Sequence, residues 1–79
     1  MDGYIFKAPS KRKGKKYDAF DSDDKYITSF GSLPYEHFYD KIGYYKSLNH
    51  LDKKRRANYR SRHKKNTGIT GLLASYYLW

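Results

Sequence analysis

Lys16-Tyr17-Asp18-Ala19-Phe20-Asp21-Ser22-Asp23-Asp24-Lys25-Tyr26-Ile27-Thr28-Ser29-Phe30 carries the strongest structural signal in the chain. Two runs rich in aromatic and β-branched residues flank four turn-forming polar residues, which is the composition of a β-hairpin. In the second run Tyr26, Thr28 and Phe30 fall on one face and Ile27 and Ser29 on the other, the period-2 pattern of a strand. Gly31 and Pro34 then end it. The Asp21–Asp24 cluster lacks the 12-residue loop and closing Glu of a helix–loop–helix calcium site, so it reads as the hairpin turn.

Downstream of the hairpin the spacing of Tyr35, Phe38, Tyr39 and Ile42 predicts a short helix ending near Gly43. Asn49, with Asp52 three residues on, has the form of a helix start, and the helix is expected to run to about Lys65 before Asn66-Thr67-Gly68 stops it. A last short helix, Ile69 to Tyr77, places Leu72, Leu73, Tyr76 and Tyr77 as i, i+4 pairs. Upstream, Pro9-Ser10-Lys11-Arg12-Lys13-Gly14-Lys15 joins chain breakers to like charge. It reads as part of an extended basic arm spanning residues 1–15, ahead of a single small α+β domain at 16–79.

A chain of 79 residues buries only about 60% of its unfolded surface and needs some further source of stability. No cysteine is present, so neither a disulfide nor a thiolate zinc site supplies it. Ten tyrosines, four phenylalanines and one tryptophan are the available packing material. The expected core is Tyr17, Phe20, Tyr26, Ile27, Phe30, Phe38, Ile42, Leu48, Leu51, Leu72, Leu73, Tyr76, Leu78 and Trp79. Nothing resembles a signal peptide, and no run approaches the ~20 apolar residues of a membrane span.

The net charge of +9 is partitioned along the chain. Residues 1–16 hold six Lys/Arg against Asp2, residues 17–52 hold three against seven acids, and residues 53–79 hold eight against none. Single-sign blocks create a field that steers binding toward polyanions or acidic surfaces. The contact residues this suggests are Lys11, Arg12, Lys13, Lys15 and Lys16 in the arm, and Lys53, Lys54, Arg55, Arg56, Tyr59, Arg60, Arg62, Lys64 and Lys65 in the second helix. Those cations surround most of the helix, so they cannot all face one phosphate backbone. Tyr59, with Arg55, Arg56, Arg62 and His63 at helical spacing, invites guanidinium stacking. Some arginines are therefore expected to organise the fold or an interface through Glu36, Asp40 or a neighbour's acids. Lys11 to Lys16 also has the form of a nuclear-import run, a short pattern that arises often by chance.

Chemistry finds little purchase. His37, His50 and His63 recur every thirteen residues, but no histidine pair at i, i+4 and no cysteine supports a metal site. There is no glycine-rich phosphate loop and no local nucleophile motif, so neither an enzyme nor a cofactor is expected.

Lys15-Lys16-Tyr17-Asp18-Ala19-Phe20, Thr28-Ser29-Phe30-Gly31-Ser32, Tyr44-Tyr45-Lys46-Ser47-Leu48-Asn49-His50-Leu51-Asp52-Lys53-Lys54-Arg55-Arg56, Asn58-Tyr59-Arg60-Ser61-Arg62-His63 and Tyr76-Tyr77-Leu78-Trp79, in that order, carry a resemblance. The chain resembles a family of small uncharacterised proteins of large nucleocytoplasmic double-stranded DNA viruses. It departs from that pattern between Thr67 and Ser75, where related sequences have a Trp/Phe-rich stretch. The resemblance implies a viral protein and presence in the virion, with host cytoplasm or nucleus as the place of assembly. With the charge blocks it leads to the expectation of a non-catalytic minor capsid protein bridging larger capsid proteins. The alternative is a sequence-nonspecific protein that coats or condenses double-stranded DNA. The oligomeric state stays open.

Overall fold

The two runs of the hairpin form strands β2 (Lys15–Phe20) and β3 (Tyr26–Ser32), paired antiparallel with Tyr17 opposite Phe30 and Ala19 opposite Thr28. These four side chains share a face, and Tyr17, Ala19 and Phe30 are fully buried on it. The computed structural model describes residues 3–65 and 68–79. Within them the architecture is α+β: a three-stranded antiparallel sheet, a single 3-10 turn at Lys46–Leu48, and helices α1 (Lys53–His63) and α2 (Ile69–Tyr77).

The third strand comes from the segment expected to be an arm. Ile5–Lys7 forms β1 and pairs antiparallel with β2, with Phe6 opposite Ala19. Phe6 thereby enters the core face and meets Phe30 and Tyr77 edge to face, at centroid distances of 5.6 and 4.6 Å. Residues 10–15 do not extend away either. Asp18 is buried on the opposite face of β2, and its carboxylate accepts hydrogen bonds from the Ser10 and Ser29 hydroxyls and the Lys11 amide. Those bonds outweigh the upward push of burial and hold the Asp18 carboxyl below its ordinary range. A buried carboxylate with three donors is therefore the clamp that folds the basic segment back. The expectation of an extended arm is corrected to a strand and a tethered loop.

Pairing slips by one residue between Ala19 and Phe20, where Phe20 meets Tyr26 and Ile27 is left over. This bulge moves Tyr26 to the face of Asp18 and Ser29, where its hydroxyl lies 2.7 Å from that of Ser29. The expected alignment of Tyr26 with Thr28 and Phe30 fails for that reason, and Tyr26 is half exposed.

Helix α2 lays Leu73 against the sheet and delivers Leu78 just beyond its end, completing the buried core. Gly31 marks the close approach: its φ is +78°, and a Cβ there would lie 2.9 Å from Leu78 Cδ1. Among the other expected core residues, Leu51, Leu72 and Tyr76 are exposed, whereas Ile42 and Trp79 pack partly buried against the core.

The helix expected over 35–43 does not form. Backbone donors in this stretch are drawn to distant acceptors: the His37 amide to Leu48, Tyr39 to Leu78 and Lys41 to Tyr77, at 2.9–3.1 Å. Asp40 takes the amides of Ile42 and Tyr45 on its side chain. Asn49 also has a different duty from the expected cap, accepting from His37 Nε2 and the Asp40 amide. Asp52 caps α1 instead, its Oδ1 accepting from the amides of Lys54 and Arg55. The expected stop at Asn66-Thr67 lies outside the described residues.

Candidate functional site: the basic face of helix α1

Helix α1 buries none of its residues completely. Its sequence supplies almost no apolar face, so it is held to the body by aromatic stacking and by arginines rather than by an aliphatic stripe. The ring of Tyr59 lies on Trp79 with centroids 4.3 Å apart and planes 4° from parallel, and His63 stacks on Tyr59 at 4.2 Å. Two arginines add to the attachment by donating to the main-chain oxygen of Trp79, Arg56 through Nε at 2.7 Å and Arg60 through Nη2 at 3.0 Å. Arg56 also lies over the Phe38 ring at 4.7 Å. Arg55 pairs with Glu36 at 3.1 Å on the surface.

The expected arginine stack on Tyr59 is thus replaced by a ring stack, because Trp79 and His63 occupy the positions beside Tyr59. Of the two acids offered as arginine partners, Glu36 takes Arg55. Asp40 is buried and bound instead by Tyr17 and by main-chain amides. What remains exposed along α1 and just beyond it is Lys53, Lys54, Lys64 and Lys65, with Arg62 exposed on the side of Arg55 and Tyr59. Lys11, Arg12 and Lys13 are exposed in the tethered loop, and Lys15 is partly buried.

Lys16 is the clear correction to the contact set, because it turns inward and is only 2% exposed. Its ammonium donates to the Tyr35 carbonyl at 2.7 Å and to His37 Nδ1 at 2.9 Å. A histidine nitrogen that accepts from an ammonium carries no proton, so His37 is the Nε2–H tautomer and donates to Asn49 Oδ1 at 2.7 Å. Burial and then the Lys16 charge push the His37 pKa down. Burial brings Lys16 to about 8, partly offset by attraction to Asp40. Asp40, 1% exposed, accepts from the Tyr17 hydroxyl. Burial alone would raise its pKa, but that hydrogen bond and the surrounding amides hold it below the ordinary range. Tyr17 is correspondingly raised, by burial and then by its bond to Asp40.

This connected set, Lys16-His37-Asn49 and Tyr17-Asp40, joins β2 to the 35–50 segment. Sequence reasoning missed it. The signal was present only as isolated polar residues with no shared local period, and nothing in the spacing says that residues 21 or 23 positions apart meet.

Among the described residues no three His, Cys, Asp or Glu side chains are grouped so as to hold a metal ion. Among the same residues no helix is long and apolar enough to cross a membrane. Comparison with family models, with curated proteins and with solved structures returned no match.

Proposed function

We propose that the chain is a non-catalytic structural component of a large DNA virus particle, a minor capsid protein that bridges larger capsid subunits through the outer face of α1. The observation that carries this reading is the division of labour along α1. Arg55, Arg56 and Arg60 are committed to Glu36, Phe38 and the Trp79 oxygen, whereas Lys53, Lys54, Lys64 and Lys65 project outward. A helix fixed by its arginines and free along its lysines suits an acidic partner surface, because rim charges steer encounter and set register. The family resemblance supplies the particle. Quantitative mass spectrometry of purified virions is the test: the chain is expected at fixed stoichiometry to the major capsid subunit, and its absence from particles sinks the reading.

A second reading is supported by the lack of any acid between Lys53 and Lys65. The same face, with Lys11, Arg12 and Lys13, would coat duplex DNA without sequence preference. Each phosphate neutralised releases counterions, so log affinity would fall with log salt by about 0.9 per contact. A flat salt response, or loss of binding by about 100 mM salt, removes this second reading.

A further inference from the structure

Behind α1, on the side away from its outer lysines, lies a cleft of about 490 Å³ walled by β2, β3, α1 and α2. That volume falls within the range of small-molecule sites, about 300–1,000 Å³. Four cationic residues line it, Lys15, Lys16, Arg55 and Arg62, against one carboxylate, Glu36, which Arg55 engages at 3.1 Å. We propose that this cleft binds a phosphate ester of nucleotide size, with Arg62 and Lys15 supplying the positive charge and Tyr59 and Trp79 walling the organic part.

The first support is the charge of the lining. Lys16 Nζ is withdrawn into the body, where it donates to the Tyr35 carbonyl and His37 Nδ1 and has the Asp40 carboxylate as its counter-charge, so it adds little net field at the cleft. Arg55 is paired with Glu36. Arg62 and Lys15 are the cations left in the lining to meet an anion, and a guanidinium and an ammonium both suit a phosphate group.

The second support is the opposite wall. Tyr59, Trp79 and Ala74, all partly buried, supply carbon surface there, with Gly71 beside them. An inorganic anion would leave this wall unused. A phosphate joined to a larger organic body uses both sides, which is how small-molecule sites combine an apolar lining with a few charged groups. This inference depends on neither the capsid nor the genome reading. The cleft lies inward of the lysines that those readings use, and virion composition tests them separately.

Trp79 is the only tryptophan of the chain and lines the cleft, so its fluorescence reports binding directly. The intact chain is titrated with inorganic phosphate, adenosine and adenosine 5′-monophosphate, with amide NMR shifts recorded in parallel. The monophosphate is expected to saturate the signal, more tightly than either fragment, with shifts at Lys15, Gly31 and Gly71. Arg62→Ala should weaken it about tenfold through loss of a charge-assisted contact. The pair Lys53→Ala and Lys54→Ala, on the outer face, should leave it within about twofold.

Short single strands identify the source of the phosphate. Preference for a 5′-phosphorylated strand over the mononucleotide assigns a strand end, and the reverse preference assigns a free nucleotide. Equal binding of a 5′-hydroxyl strand overturns the proposal. So does the lack of a saturable signal at about 10 mM monophosphate, or an equal loss in the Lys53/Lys54 variant.

Discussion

Removal of Asp40 should break the buried polar network that joins β2 to the 35–50 segment. Its carboxylate is 1% exposed and receives the Tyr17 hydroxyl, the Ile42 amide at 2.9 Å and the Tyr45 amide at 2.8 Å. It is also the carboxylate that attracts the buried Lys16. Replacement by alanine leaves buried donors without acceptors, at about 1–3 kcal/mol each when they cannot reach water. It also leaves a buried ammonium without its counter-charge, a class of change that costs about 3–5 kcal/mol. These terms overlap, so the expected total is about 3–5 kcal/mol.

A domain of this length has about 4–12 kcal/mol of stability in all, so Asp40→Ala should leave it near the edge of folding. With a urea slope of about 1 kcal/mol per M, the midpoint falls by about 3 M or the transition disappears. Asp40→Asn, which keeps one acceptor oxygen, should cost about half as much and remain measurable. Lys16→Met supplies the coupling test. In that background Asp40→Asn should cost less by at least about 1 kcal/mol, because no unpaired ammonium is left behind. A loss under about 1 kcal/mol for Asp40→Ala, or perfect additivity with Lys16→Met, refutes the reasoning.

The same groups set the pH response. His37 is depressed by burial and the Lys16 charge, so its contribution is present above about pH 6.5 and is lost as pH falls through the folded value. Urea midpoints should drop on acidification below neutrality, and His37→Gln should flatten that slope. Lys16 is depressed from 10.5 to about 8, so the unfolded chain holds the extra proton between those values and stability should rise with pH across that window. The rise should vanish in Lys16→Met, while the raised Tyr17 opposes it above about pH 10. Tyr59→Ala removes the stack on Trp79 and should cost about 2–3 kcal/mol, with α1 amides exchanging fast while the β2 amides keep their protection. Gly31→Ala places a methyl 2.9 Å from Leu78 Cδ1 at a φ of +78° and should destabilise by about 1–3 kcal/mol in thermal melts. Leu51 is exposed at a φ of +58°, so Leu51→Gly should stabilise by up to about 1 kcal/mol, again read from melting.

The hairpin and α2 were legible because each has one dominant local signal: strand composition around a polar turn, and paired apolar residues at i, i+4. The start of α1 was legible only to within a few residues. Asn49 and Asp52 both have capping chemistry, and only the tertiary demand of His37 for an acceptor removes Asn49 from that role. The segment 35–43 misled because its helical spacing of aromatics competes with acceptors supplied by residues far away in sequence, Leu48, Tyr77 and Leu78. β1 was masked by the basic run that follows it, since charge and proline suggest an arm and no local pattern announces that Asp18 will need the Ser10 hydroxyl. On α1 the total charge was evident, but its division into internal arginines and outward lysines was not. That division depends on where the Trp79 oxygen sits, which no sequence period encodes.

Contact between the outer lysines and capsid subunits, as proposed, is read by lysine cross-linking and mass spectrometry on intact purified particles. Cross-links are expected from Lys53, Lys54, Lys64 and Lys65 to acidic segments of larger capsid proteins, in particles that carry the chain at fixed stoichiometry. The proposal is contradicted if the chain is missing from the particles, or if those lysines cross-link only within the chain and to genome-associated proteins.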